Sequence, residues 1–199
     1  MKKGFTLLEL LIVIGILAIL STTMLLVINP AEILKKARDS QRISDLNTLK
    51  SAIAYYLVNV SSPYIGSSTQ TYSDVGGINC LANGTSSPSA SSTYLSISGN
   101  GWIPINFSTL AGGSPISALP HDPNPSTSTS NHYYVYLVSN NSNYTFKLVT
   151  NMESQAYSQG GTNDVESTDG GTINSLYEVG TDLSLAITTG TNCFNVGTP

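Results

Sequence analysis

Between Phe5 and Ile28 the chain runs almost without interruption through apolar residues, FTLLELLIVIGILAILSTTMLLVI. Wound as a helix, this stretch is about 36 Å long at 1.5 Å per residue, enough to cross a hydrocarbon core of about 30 Å. It is too long, and too apolar on every side, for a core helix of a small soluble domain. A secretory signal peptide would have a shorter apolar region, followed closely by an A-x-A-like cleavage site, and no such site follows. No lipoprotein-type cysteine follows it either. The segment is therefore expected to remain with the mature chain as a single membrane helix. Glu9 interrupts it. An ionised carboxylate at membrane depth costs roughly 2.5–3.5 kcal/mol on insertion scales and calls for a partner. Two readings are open: Glu9 snorkels to headgroups, or it meets a cation when helices pack.

Charge alone does not orient the helix as expected. Lys2 and Lys3 precede it, whereas Lys35, Lys36, Arg38 and Arg42 follow. A bare count of Lys and Arg would put the C-terminal side in the cytoplasm. The whole chain carries net charge −4, and Lys147 is the only basic residue beyond Lys50. It stands against Asp74, Asp122, Glu153, Asp164, Glu166, Asp169, Glu178 and Asp182. A body so acidic and rich in Ser, Thr, Asn and Gly repels phosphate backbones, which disfavours direct nucleic-acid binding.

Asn29, Pro30 and Glu32 match an N-cap, a proline at the first helical position and a capping-box acid. Either one helix kinks at Pro30, or a first helix ends there and a second begins. Beyond it Leu46, Leu49, Ile53, Tyr56, Leu57 and Val60 recur at spacings of three and four, predicting an amphipathic helix with one apolar stripe. Glu32–Lys36, Lys35–Asp39 and Arg42–Asp45 have helical ion-pair spacing, which suits either a solvated face or contacts between copies.

From Ser61 to Asn131 turn signals dominate. TYLSI and WIPINFSTL are short apolar pieces read as brief strands or a short helix, and Trp102 is expected in the core. HYYVYLVS and NYTFKLVT alternate around NNS and predict an antiparallel hairpin, with LYEV and LSLAIT as further strands. The expected fold is thus α+β: a long N-terminal helix, half transmembrane and half amphipathic, packed on a C-terminal antiparallel β-sheet head. Its parts are 1–4 as a leader, 5–28 as the membrane helix, 29–60 as the amphipathic helix, 61–131 as a loop-rich αβ region, and 132–199 as sheet head and tail.

Cys80 and Cys193 are read as a disulfide if the body lies outside the cytoplasm, and otherwise as buried free thiols. Asp164, Glu166 and Asp169 share a glycine-bearing loop, TNDVESTDGGT. Its spacing departs from an EF-hand loop, so a solvated acidic loop is expected, with structural Ca²⁺ as the alternative and no other cofactor. His121 and His132 stand apart from any nucleophile, and no G-x-S-x-G, P-loop or H-E-x-x-H occurs. No enzymatic activity is expected.

The stretch KKGFTLLELLIVIGILAIL resembles the N-terminus of the type IV pilin and type II secretion pseudopilin family. The resemblance is close over about the first 25 residues. ALPHDP and KLVTNME also resemble pilin and pseudopilin heads, with less specificity. The resemblance implies cleavage by prepilin peptidase between Gly4 and Phe5, N-methylation of Phe5, and an assembly role for Glu9. It implies a softening point at Pro30, and it raises the expectation of calcium in a C-terminal loop. It also implies a bacterial single-pass protein with its N-terminus in the cytoplasm before assembly, against the bare charge count. The implied partners are the membrane, the peptidase, an inner-membrane assembly platform and other copies of the chain. The implied function is a structural subunit of a type IV pilus or pilus-like filament at the cell surface or in the envelope. The alternatives are a pseudopilin of a type II secretion or DNA-uptake system, and a monomeric membrane-anchored binding domain.

Overall fold

The computed structural model describes residues 4–82, 84–86, 93–124, 132–139, 143–187 and 193–194. Helix α1 spans Leu7–Ile28 and helix α2 spans Pro30–Asn59. Five strands follow: β1 Gln70–Ser73, β2 Thr85–Ser86, β3 Val135–Ser139, β4 Thr145–Thr150 and β5 Tyr177–Gly180. They form one sheet in the order β2-β1-β3-β4-β5. The pairings are antiparallel except β1 with β2, which is parallel. This is the α+β architecture the sequence predicts, with the hairpin of β3 and β4 at its centre.

One residue separates the two helices. Asn29 adopts a left-handed conformation (φ 42°, ψ 80°) and closes α1 while opening α2. Asparagine tolerates that region better than most residues, and Pro30 needs no N–H donor at the first helical position. The sequence left a kink and a break as alternatives; the structure has a break. Asn29 caps as expected, its Oδ1 accepting from the Glu32 amide at 3.4 Å. The Glu32 carboxylate does not complete the box. It reaches the head instead, accepting from the Gln155 amide at 2.7 Å.

Helix α2 lies across β4 and β5. Leu46, Leu49, Ile53 and Tyr56 are buried there against Tyr134, Tyr136, Val138, Phe146 and Leu148. Trp102 joins this core, its indole N–H donating to the Pro120 carbonyl at 2.9 Å. The opposite face of the sheet is buried as well. Tyr133, Val135, Leu137 and Val149 are covered by Leu176, Cys80, Cys193 and Phe194. Both alternating sets of β3 are apolar, so both faces of this strand require cover. The disulfide Cys80–Cys193 closes that second layer, with Cα atoms 4.9 Å apart, and Phe194 stacks on Tyr133 at 4.4 Å.

Some predicted strands are absent. Thr93–Ile97 is held irregularly: the Tyr94, Leu95 and Ile97 carbonyls accept from the Trp102, Leu119 and Phe107 amides. The WIPINFSTL piece contributes a 3₁₀ turn at Phe107–Thr109. Leu183–Ile187 forms no strand because the Leu183 and Leu185 carbonyls turn inward to the Lys147 ammonium, at 2.9 and 3.1 Å. Lys147 is itself fully buried and paired with Glu178.

The joint between α2 and the head is ionic. Arg42 is completely buried and grips Asp122 with two parallel bonds, Nε to Oδ2 at 2.7 Å and Nη2 to Oδ1 at 2.9 Å. Nη1 donates to Asp39 Oδ1 at 2.7 Å and to Glu153 Oε2 at 3.4 Å. Asp39 also accepts from the Glu153 and Ser154 amides at 2.9 and 2.7 Å. Arg38 forks onto Glu153 at 2.7 and 2.5 Å. Behind Asp122, the Asp74 carboxylate accepts from the Asp122 and Tyr134 amides, both at 2.8 Å. Burial pushes Asp74 up to about 7. Burial alone would lower the Arg42 pKa, but the two carboxylates reverse this and hold it above its ordinary value. Asp39 and Arg42 thus belong to the interior of one subunit, not to a solvated helix face. Arg42 pairs with Asp39 rather than Asp45, which accepts from Tyr134 Oη at 2.9 Å.

Removing the guanidinium strands Asp39 and Asp122 without a cation. Arg42→Met is expected to destabilise the chain by about 3–5 kcal/mol, the usual cost of breaking a buried pair. Denaturant unfolding in detergent measures this, and a change below about 1 kcal/mol would show the pair to be solvated. Replacing Cys80 and Cys193 together by Ser is expected to cost about 2–5 kcal/mol. Peptide mapping without reductant should recover the two cysteines in one linked species; two free thiols in the native chain would contradict it.

Candidate functional site

The N-terminal site is built on the first turn of α1. Thr6 is the N-cap, with extended backbone angles, and its Oγ1 accepts from the Glu9 amide at 3.2 Å. Glu9 returns the contact: Oε2 accepts from the Thr6 amide at 2.9 Å and from Thr6 Oγ1 at 2.7 Å. This is a reciprocal capping box, which satisfies two of the helix's free amides. The pattern Thr-x-x-Glu ahead of an apolar run is the sequence signal for this role of Thr6, which the charge of Glu9 alone does not reveal. The capping box fixes where the carboxylate sits without neutralising it. Among the described residues no Lys or Arg pairs with Glu9.

Phe5 is 79% exposed, and every residue from Leu7 to Met24 is exposed. The helix meets its own backbone requirements, and Ser21, Thr22 and Thr23 turn their hydroxyls onto the Leu17, Ala18 and Leu20 carbonyls. What it lacks is any cover for its side chains. A Cβ added at Gly4 would meet nothing within 4 Å. The described fold therefore places no demand for glycine at this position.

The other residues singled out in the sequence lie far from this turn. Pro30 begins α2 directly after the left-handed Asn29, at the joint between the helices. Cys80 and Cys193 are brought together as a disulfide. The three acids of the TNDVESTDGGT loop are not brought together. Asp164 accepts from the Gly160 and Ser167 amides at 2.7 and 3.0 Å. Glu166 turns inward to the Met152 and Gln159 amides at 2.7 and 2.9 Å, and burial pushes it up to about 7. Asp169 accepts from the Gly171 amide at 2.7 Å and from the Glu178 amide at 2.5 Å. Each carboxylate closes a separate turn, and among the described residues no three acids, histidines or cysteines converge as a cation site. His121 lies edge-on to Tyr94, and His132 contacts Asn151 at 3.1 Å, neither beside a nucleophile.

Residues 1–25 match the family model of the prokaryotic N-terminal methylation motif. No curated protein and no solved structure is significantly similar to the chain. The motif includes Gly4, Phe5 and Glu9 and runs into the exposed apolar helix. A methylation motif at residues 1–25, a capped apolar helix after it and an α+β head beyond together support a type IV pilin-like prepilin.

Proposed function

We propose that the chain is a structural subunit of a type IV pilus or pilus-like surface filament. In this reading prepilin peptidase cuts between Gly4 and Phe5 at the cytoplasmic face of the membrane, and the new Phe5 amine is methylated. Subunits then leave the bilayer and polymerise through α1, with an assembly platform in the membrane. The observation that carries the reading is the contrast between the two ends of the molecule. The head is closed on both faces of its sheet, whereas α1 exposes every side chain from Leu7 to Met24 and suits lipid or other copies of itself. Glu9 deepens it. Held by Thr6 and unpaired with any described cation, its carboxylate is positioned to receive the Phe5 amine of a neighbouring copy, so that assembly removes the penalty of an unpaired charge in lipid. Gly4, free of any contact that would require glycine, fits a residue selected by the peptidase's extended binding cleft. Nothing in this reading asks for a cofactor or a catalytic group in the head.

Intact-mass measurement of the chain from its native membrane should show residues 1–4 removed and one methyl group added. An intact Met1 would refute processing. Gly4→Val is expected to leave the precursor uncut while the head folds normally. Glu9→Ala is expected to lower sheared filament yield about tenfold or more, since each 1.4 kcal/mol of subunit contact is a factor of ten. Unchanged yield and register would remove Glu9 from assembly. Electron microscopy of the cells separates the surface pilus from a pseudopilus of a secretion or DNA-uptake system: long external filaments are expected, and their absence would favour the latter.

A further inference from the structure

The first two turns of α2 differ from the rest of that helix. Farther along, the large apolar residues Leu46, Leu49, Ile53 and Tyr56 are buried on the head. Here Ile33 and Leu34 are 51% and 59% exposed. They are followed by Lys35, half-exposed, and Lys36, exposed. The acids at ion-pair spacing from these lysines are engaged elsewhere. Glu32 accepts from the Gln155 amide, and Asp39 is enclosed by Arg42 and the Glu153 and Ser154 amides. Among the described residues neither Lys35 nor Lys36 has an ion pair. Two bare aliphatic side chains and two uncompensated ammonium groups thus share one short segment. That segment follows the apolar helix across the break at Asn29.

Distance along the chain places it. Residues 33–36 lie no more than about 8–12 Å beyond Ile28 at 1.5 Å per residue, and less where the break at Asn29 turns the helix axis. The headgroup layer on each side of a bilayer is about 5–8 Å deep, and lysine stems extend their charge several ångströms further. With α1 filling the hydrocarbon, this segment falls at the outer edge of that layer. Aliphatic and cationic groups combined in this way suit an interface, where the first partition among headgroups and the second meet phosphates.

We propose that Ile33, Leu34, Lys35 and Lys36 form an interfacial anchor that binds anionic phospholipid headgroups while the subunit waits in the membrane. The anchor rests on the membrane-inserted state proposed above. Glu32 and the Arg38–Glu153 pair tie the same turns to the head, so the anchor also sets the height of the head above the bilayer.

The test uses the full chain in vesicles of phosphatidylcholine and phosphatidylglycerol, with Leu34→Cys carrying an environment-sensitive fluorophore. The native cysteines are paired with each other, so the new thiol is the one that labels. Lipids brominated close to the headgroup should quench the probe, the anionic lipid more than the zwitterionic one. Joint Lys35→Gln and Lys36→Gln substitution should reduce that anionic preference by roughly fivefold per lysine. Quenching by aqueous iodide with none by lipid would overturn the proposal. So would protection that appears only when the protein-to-lipid ratio is raised, because a second copy would then be the occupant. A Leu17→Cys probe with deeply brominated lipid reports insertion separately. If Leu17 is quenched and Leu34 is not, the anchor alone is wrong; if Leu17 is not quenched, the membrane-inserted reading fails and the anchor with it.

Discussion

A single guanidinium, that of Arg42, determines how the helix and the head of this molecule are joined. It projects from α2 into a space without water and meets acids from two loops that are distant in sequence, Asp122 and Glu153, as well as Asp39 one turn earlier. A buried charge of this kind contributes less to net stability than to choice among arrangements, because sliding the helix by one turn would strand several charges at once. The apolar stripe below it specifies that α2 lies on the sheet. The ionic cluster specifies at which height. Loops 119–124 and 151–166 carry little regular structure, and they acquire defined positions through the carboxylates and amides they give to this cluster and to Asp74.

The N-terminal half of the molecule is governed by the opposite principle. Helix α1 satisfies its own backbone and its first turn through Thr6 and Glu9, yet leaves the side chains from Leu7 to Met24 exposed. A helix complete in hydrogen bonds and incomplete in packing can move between lipid and protein surroundings without refolding, since only side-chain contacts have to be exchanged. The head cannot do this. Its sheet is covered on both faces, and its cover is covalently closed. Separation of a portable helix from a fixed head is the physical basis of the proposed role in filament assembly.

Much of this was legible in the sequence for reasons that are local. The apolar run, the three-four spacing from Leu46 to Tyr56 and the alternation in β3 and β4 each report one periodicity that tertiary structure preserves. The N-cap at Asn29 was legible because proline follows it. What the sequence hid depends on groups far apart in the chain. Asp39 and Arg42 have the spacing of a solvated helix face, and nothing local reveals that Asp122 and the Glu153 and Ser154 amides will take them inside. The strands β1 and β2 are only four and two residues long, below the length at which alternation is visible. LSLAIT has a strand-like composition, but Lys147 captures its carbonyls. Among the candidate site residues, Gly4, Phe5 and Glu9 stood in one short motif. The acids of the 164–169 loop are adjacent in sequence, but each is engaged by a different set of backbone amides.

The disulfide has a consequence in time as well as in space. Cys193 lies 113 residues after Cys80, so the second face of the sheet is not fully closed until that distant segment has been made. Until then Tyr133, Val135, Leu137 and Val149 have Cys80 and Leu176 beside them but lack the cover of Cys193 and Phe194. Closing this face covalently therefore calls for oxidising surroundings. A chain that folds without that bond would keep one face of its sheet unfinished. The pairing of Cys80 with Cys193 thus marks the moment at which the head is complete.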